Sequence, residues 1–168
     1  MQMWSEIMRA FADSPSQSRV ALFLLENGLG VNEQGRVVSN EIAIPATQVA
    51  SVVGVDRRVV DATAKRILED IQLAPIFARM RATPDLSMVA EHLGLSVITI
   101  APIDARDKGV VEAAVHVLTL HDLAIRQIFV TDPYLAADPK LVLIVDGTLP
   151  PGVIEELRSL PQVRRISL

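Results

Sequence analysis

The 168 residues contain no cysteine, which excludes disulfides and thiol chemistry and fits a cytoplasmic location. Aromatic residues make up only 4 %, leaving valine, isoleucine, leucine and alanine to build the core. No apolar run approaches the ~20 residues that a membrane-spanning helix needs. The start of the chain also lacks the basic stretch, apolar run and cleavage site of a secretory leader, so a soluble, non-secreted protein is expected. Positive charge is not in excess either. Residues 1–95 carry nine Lys/Arg against eleven Asp/Glu, and residues 96–168 carry seven against nine, so each half is −2. A general nucleic-acid binder is thereby excluded, and any DNA contact must rest on a local basic patch.

Half of the residues are hydrophobic and 21 % are charged, a globular composition. A chain of this length forms one large domain or two small ones and buries roughly 70 % of its unfolded surface.

The first half reads helical. In "SPSQSRVALFLLENG", Ser14 is placed as N-cap, Pro15 as the first helical residue and Gly28 just past the end. Val20, Phe23 and Leu24 share one face, with Ala21 and Leu25 beside it. "RVVSNEIAIP" reads as one or two short strands ending at Pro45. "ATQVASVVGVDRRVVDATAKRILED" then gives two helices, 46–53 and 57–69, joined by "GVD". Gly54 supplies the positive φ of a sharp interhelical turn, and Asp56 caps the second helix. From 73 to 94, two more helical pieces flank "ATPD", the first interrupted by Pro75 and the second capped by Asp85.

The second half alternates. Strands are expected at 96–103, 124–131, 140–146 and over "VRRISL", with helices at 108–121 and 150–160. The order βαββαβ closes into a four-stranded antiparallel sheet with both helices on one face. The first and third strands are apolar on both sides and are placed centrally. The second and fourth carry Arg126, Arg164 and Arg165, as edge strands do.

Chemistry-bearing residues concentrate at the first strand-to-helix junction, "IDARDKGVV", which contains Asp104, Arg106, Asp107 and Lys108 before Gly109. A free amino acid is an anion and a cation a few ångströms apart. The helix start offers unpaired N–H groups and partial positive charge to its carboxylate. Gly109 allows close approach, and Asp104 or Asp107 can accept the ammonium. The structural alternative has Asp107 capping the helix, Asp104 closing the strand, and Arg106 and Lys108 solvated. The helix that follows is polar only along Glu112, His116 and Thr119. Its surplus apolar surface requires a further packing partner, from the N-terminal half or from a second subunit.

His92, His116 and His121 do not form a metal set, because the last two are five apart, off the i, i+4 register. No nucleophile–base–orienter set, phosphate-gripping loop or carboxylate pair occurs, so no enzyme and no cofactor is expected.

Two resemblances sharpen these readings. The spacing of Ala50, Gly54 and Val60 resembles the helix-turn-helix of transcription regulators. Arg57, Arg58, Asp61 and Lys65 are the candidate DNA-facing residues of its second helix. Winged members continue into a hairpin, for which "IQLAPIFARMRA" has no signal. Residues 96–168, through "ITIAPIDARDKGVVEAAVHVLTLHDLAIRQIFV", resemble the ACT domain, a module that binds amino acids; where that family often has proline before the glycine, this chain has Lys108. Together the two resemblances are those of regulators of amino-acid metabolism.

The expected fold is therefore α+β. A helical helix-turn-helix (winged-helix-like) domain at 1–72 and a helical connector at 73–95 precede a ferredoxin-like βαββαβ ACT domain at 96–168. The resemblance implies an amino-acid ligand at Asp104, Arg106, Asp107, Lys108, Gly109 and Val110, completed by Arg126, Gln127 and Ile128 across a homodimer interface. Alternatives are a regulator that contacts a metabolic enzyme, not DNA, and a structural dimer without ligand.

Overall fold

A computed structural model describes residues 7–134 and 136–168; the expected first domain begins within residues 1–6, outside the described residues. The chain is α+β with two antiparallel sheets and divides into two compact units, residues 1–84 and 85–168.

In the first unit, α1 (Pro15–Glu26) starts on its proline and buries Val20, Ala21, Leu24 and Leu25. That spacing makes a single apolar stripe. Ser14 occupies the N-cap position without a side-chain hydrogen bond. A small antiparallel sheet follows, β1 (Gly30–Val31), β2 (Val37–Ser39) and β3 (Ile42–Ala43), in that order. The Asn32 side chain accepts from Gln34 and Arg36 amides at 3.1 and 2.9 Å, closing the first turn.

Helices α2 (Ala46–Val53) and α3 (Arg57–Glu69) meet at Gly54, which is left-handed. Asp56 accepts the Arg58 amide at 2.8 Å, the expected cap. Helix α4 (Leu73–Arg79) comes next. Pro75 does not interrupt it, because proline in the first helical turn removes an N–H that has no intrahelical partner anyway.

Residues 73–95 are not one connector. Leu73 and Phe77 are buried in the first core with Ile7, Phe11, Val49, Val60 and Ile67. The Asn40 side chain bonds both the amide and the carbonyl of Ala82, at 2.9 and 3.2 Å. Nor does a second helix follow "ATPD". Asp85 accepts the Ser87 amide in a turn, and only the 3-10 turn Glu91–Leu93 forms before left-handed Gly94. The core expected from valine, isoleucine, leucine and alanine also contains Phe11 and Phe77, both fully buried.

The close packing of 81–82 on the turn after α1 is testable. Gly28 has φ +62°, and a Cβ there would lie 2.7 Å from the Arg81 carbonyl oxygen. Gly28→Ala is expected to cost about 1–3 kcal/mol through strain and clash, read by chemical denaturation. A cost under about 0.5 kcal/mol would contradict the contact.

In the second unit the order is β4 (Leu95–Pro102), α5 (Val110–Leu120), β5 (Ile125–Val130), β6 (Leu141–Asp146), α6 (Val153–Ser159) and β7 (Val163–Ser167). The sheet runs β5-β6-β4-β7, every neighbouring pair antiparallel, with β4 and β6 central. Ile98, Ile100, Leu141, Leu143 and Val145 form one face of the two central strands. They share a core with Val110, Ala114, Val117 and Leu118 of α5 and Val153 and Leu157 of α6. Alternation along each strand thus puts both helices on the same side of the sheet. No helix among the described residues is long and apolar enough to cross a membrane.

Candidate functional site

Strand β4 ends for two local reasons. Its register against β7 shifts between Ala101 and Pro102, and Pro102 has no N–H to continue a ladder. Ile103 still donates to the Gln162 carbonyl at 2.8 Å, and then the chain turns away. The turn is held by Asp104. Its carboxylate accepts the Arg106 amide at 2.9 Å and the Arg106 guanidinium at 2.9 and 2.7 Å, while its carbonyl accepts the Asp107 amide.

These bonds from Arg106, side chain first and then backbone, hold the Asp104 carboxyl at about 2, below its usual 3.8. The same pairing raises the Arg106 guanidinium. Because the folded-state value is depressed, the turn gains from the charged carboxylate above about pH 4 and loses that gain as pH falls toward 2. A carboxyl titration by NMR should place the Asp104 midpoint near 2, and Arg106→Gln should return it toward the ordinary carboxylate range. A midpoint near 3.8 in the unaltered protein would contradict the pairing.

The helix start differs from the structural alternative read in the sequence. Gly109, with φ +90° and ψ −5°, is the N-cap of α5, and no side chain caps it. Asp107 is exposed and does not serve as the cap. The first amides of α5 have no intrahelical partner. A Cβ built on Gly109 would meet nothing within 4 Å, so the approach to this backbone is open.

Two hollows flank the turn. The one on the helix side is lined by Asp107, Val110, Val111, Val130, Thr131 and Lys140, among others, and measures about 80 Å³. The other measures about 410 Å³ and is lined by Asp104, Arg106, Tyr134, Asp138 and Arg164 with neighbouring prolines. Lys140 and Arg164 reach Asp138 at 3.3 and 3.5 Å. Neither Lys108 nor Gly109 lines these hollows.

The expected residues of β5 stand elsewhere within one chain. Arg126 is the extra residue of a bulge between Ile125 and Gln127, and its guanidinium pairs with Asp146 at 3.2 Å. Gln127 accepts the Leu86 amide at 3.0 Å, fixing the segment that enters the unit. Both lie level with Ile144 and Val145, roughly three strand rises or ~10 Å from the Leu141 end where the turn sits. Ile128 is 39 % exposed on the edge strand. Tyr134 and Asp138 were missed by the sequence reading, and Arg164 was read only as an edge-strand residue.

In the first unit, Arg57, Arg58, Asp61 and Lys65 are all exposed on α3, opposite buried Val60, Thr63, Ala64 and Ile67. Two arginines in the first turn oppose the helix dipole, so they do not serve helix stability. Lys65 pairs with Glu69 at 3.7 Å. Among the described residues no group of three His, Cys, Asp or Glu could hold a metal; His121 pairs with Glu156 at 3.0 Å.

No protein-family model matches this chain, and no curated protein matches it either.

Proposed function

We propose that the chain is an amino-acid-sensing regulatory protein without catalysis. In this reading residues 96–168 are a ferredoxin-like ACT domain, and α2–α3 are a helix-turn-helix output module. The observation that carries it is the start of α5. An uncapped helix opens at Gly109 onto unobstructed space, with charges of both signs on the adjoining turn. Helix amides and the dipole suit a carboxylate, and a neighbouring aspartate suits an ammonium. The strand order β5-β6-β4-β7 supports the domain reading.

The small size of the helix-side hollow in one chain accords with a pocket completed by a second copy. Val111 and Leu120 of α5, and Ile128 and Val130 of β5, are the exposed apolar residues available to such an interface. Ligand would then bias how two copies pair and so reorient the output modules.

For the output, full-length protein is titrated with mixed genomic DNA fragments across a salt series. Affinity should fall steeply with salt, and the double variant Arg57→Gln, Arg58→Gln should lower the log–log slope by about 2, one per lost phosphate contact. In the second reading this unit grips a metabolic enzyme. Absence of DNA binding at low salt selects it.

A further inference from the structure

The 410 Å³ hollow beyond the Asp104 turn is polar, preformed and built by one chain. Three segments far apart in sequence converge on it: the end of β4, the β5–β6 connection and the start of β7. Its charged lining comprises two guanidinium groups, Arg106 and Arg164, and two carboxylates, Asp104 and Asp138. Pro102, Pro133 and Pro139 stand in the wall, each with its own φ fixed. The volume is within the range of small-molecule sites.

The two ion pairs are unequal. Arg106 grips Asp104 through both guanidinium bonds and the backbone, at 2.7–2.9 Å. Arg164 touches Asp138 only at 3.5 Å, Lys140 reaches the other Asp138 oxygen at 3.3 Å, and Arg164 and Asp138 are half-exposed. The tight pair shapes the turn. The loose pair is the one that can exchange its internal partner for an external one at small cost.

We propose that this hollow is a binding site for a small zwitterion, whose carboxylate pairs with Arg164 and whose ammonium pairs with Asp138. The lining offers charges of both signs, as a zwitterion needs, with Lys140 also held on Asp138 at 3.3 Å. The site needs no second copy, and it lies on the far side of the turn from Val110 and Val111. The ligand class rests on the sensing reading; the position and the residues do not.

The test is isothermal titration of the full chain with each of the twenty common amino acids, for the unaltered protein, Arg164→Gln, Asp138→Asn and Asp107→Asn. The expected result is a site filled once per chain with an affinity independent of protein concentration, separate from any binding at the start of α5 that needs a second copy. Arg164→Gln and Asp138→Asn should each weaken binding at this site about tenfold or more, the scale of a lost charged hydrogen bond, whereas Asp107→Asn acts only on binding at the start of α5. The amide and the N-acetyl derivative of the binding amino acid should both fail to bind. Binding that survives Arg164→Gln and Asp138→Asn but falls with Asp107→Asn, or that appears only as the protein dimerises, overturns this site and leaves the sensing reading standing. No binding by any amino acid overturns both.

Discussion

Replacing Phe77 by alanine is expected to destabilise the first unit by about 3–5 kcal/mol. Phe77 is fully buried, in a core shared with Phe11, Leu24 and Ile67. The cavity would form under β1, where the Phe77 carbonyl oxygen stands so close to Gly30 that a Cβ there would come within 2.6 Å. That backbone proximity leaves the site little freedom to collapse, which favours the upper part of the range. Hydrogen exchange after chemical denaturation assigns the loss: amides of 15–79 should lose protection and those of β4, β6 and β7 should keep theirs. Unchanged protection in 15–79 would mean that α4 is a tether and not part of the core.

Ile98→Ala is the matching expectation for the second unit, at about 2–5 kcal/mol. Ile98 lies on the central strand β4, pairs with Leu143, and is fully buried beneath the helices. Unlike the first core, this one holds no aromatic side chain among its buried residues, so each branched aliphatic carries a larger share of the packing. Exchange should accelerate in β4–β7 and leave α1 and α3 unaffected. Loss of protection in both units would contradict two separate cores.

The second unit was more legible in the sequence than the first, for a physical reason. Central strands apolar on both faces, such as "LVLIVD", and edge strands that carry arginine give distinct patterns, and the connecting helices begin at glycines. The two-residue strand β1 gives no period to read, and its place is fixed by packing on α4. Pro75 looked like a breaker because its effect depends on where the helix begins, which Asp70 decides by accepting the Gln72 and Leu73 amides.

The site divides in the same way. Asp104 through Gly109 are contiguous and could be read as a turn with charge. Asp138 and Arg164 are 26 residues apart and meet only through the sheet order. Arg126 was expected near a ligand across a homodimer interface; within one chain it is the bulge residue and pairs with Asp146.

Thermal unfolding of the full chain against the twenty common amino acids tests the central claim most directly. A specific ligand at 100 times its Kd should stabilise the folded state by about 2.7 kcal/mol, raising the second unit's midpoint by about 10 °C or more. Midpoints that stay flat for all twenty at millimolar concentration would contradict amino-acid sensing by this protein.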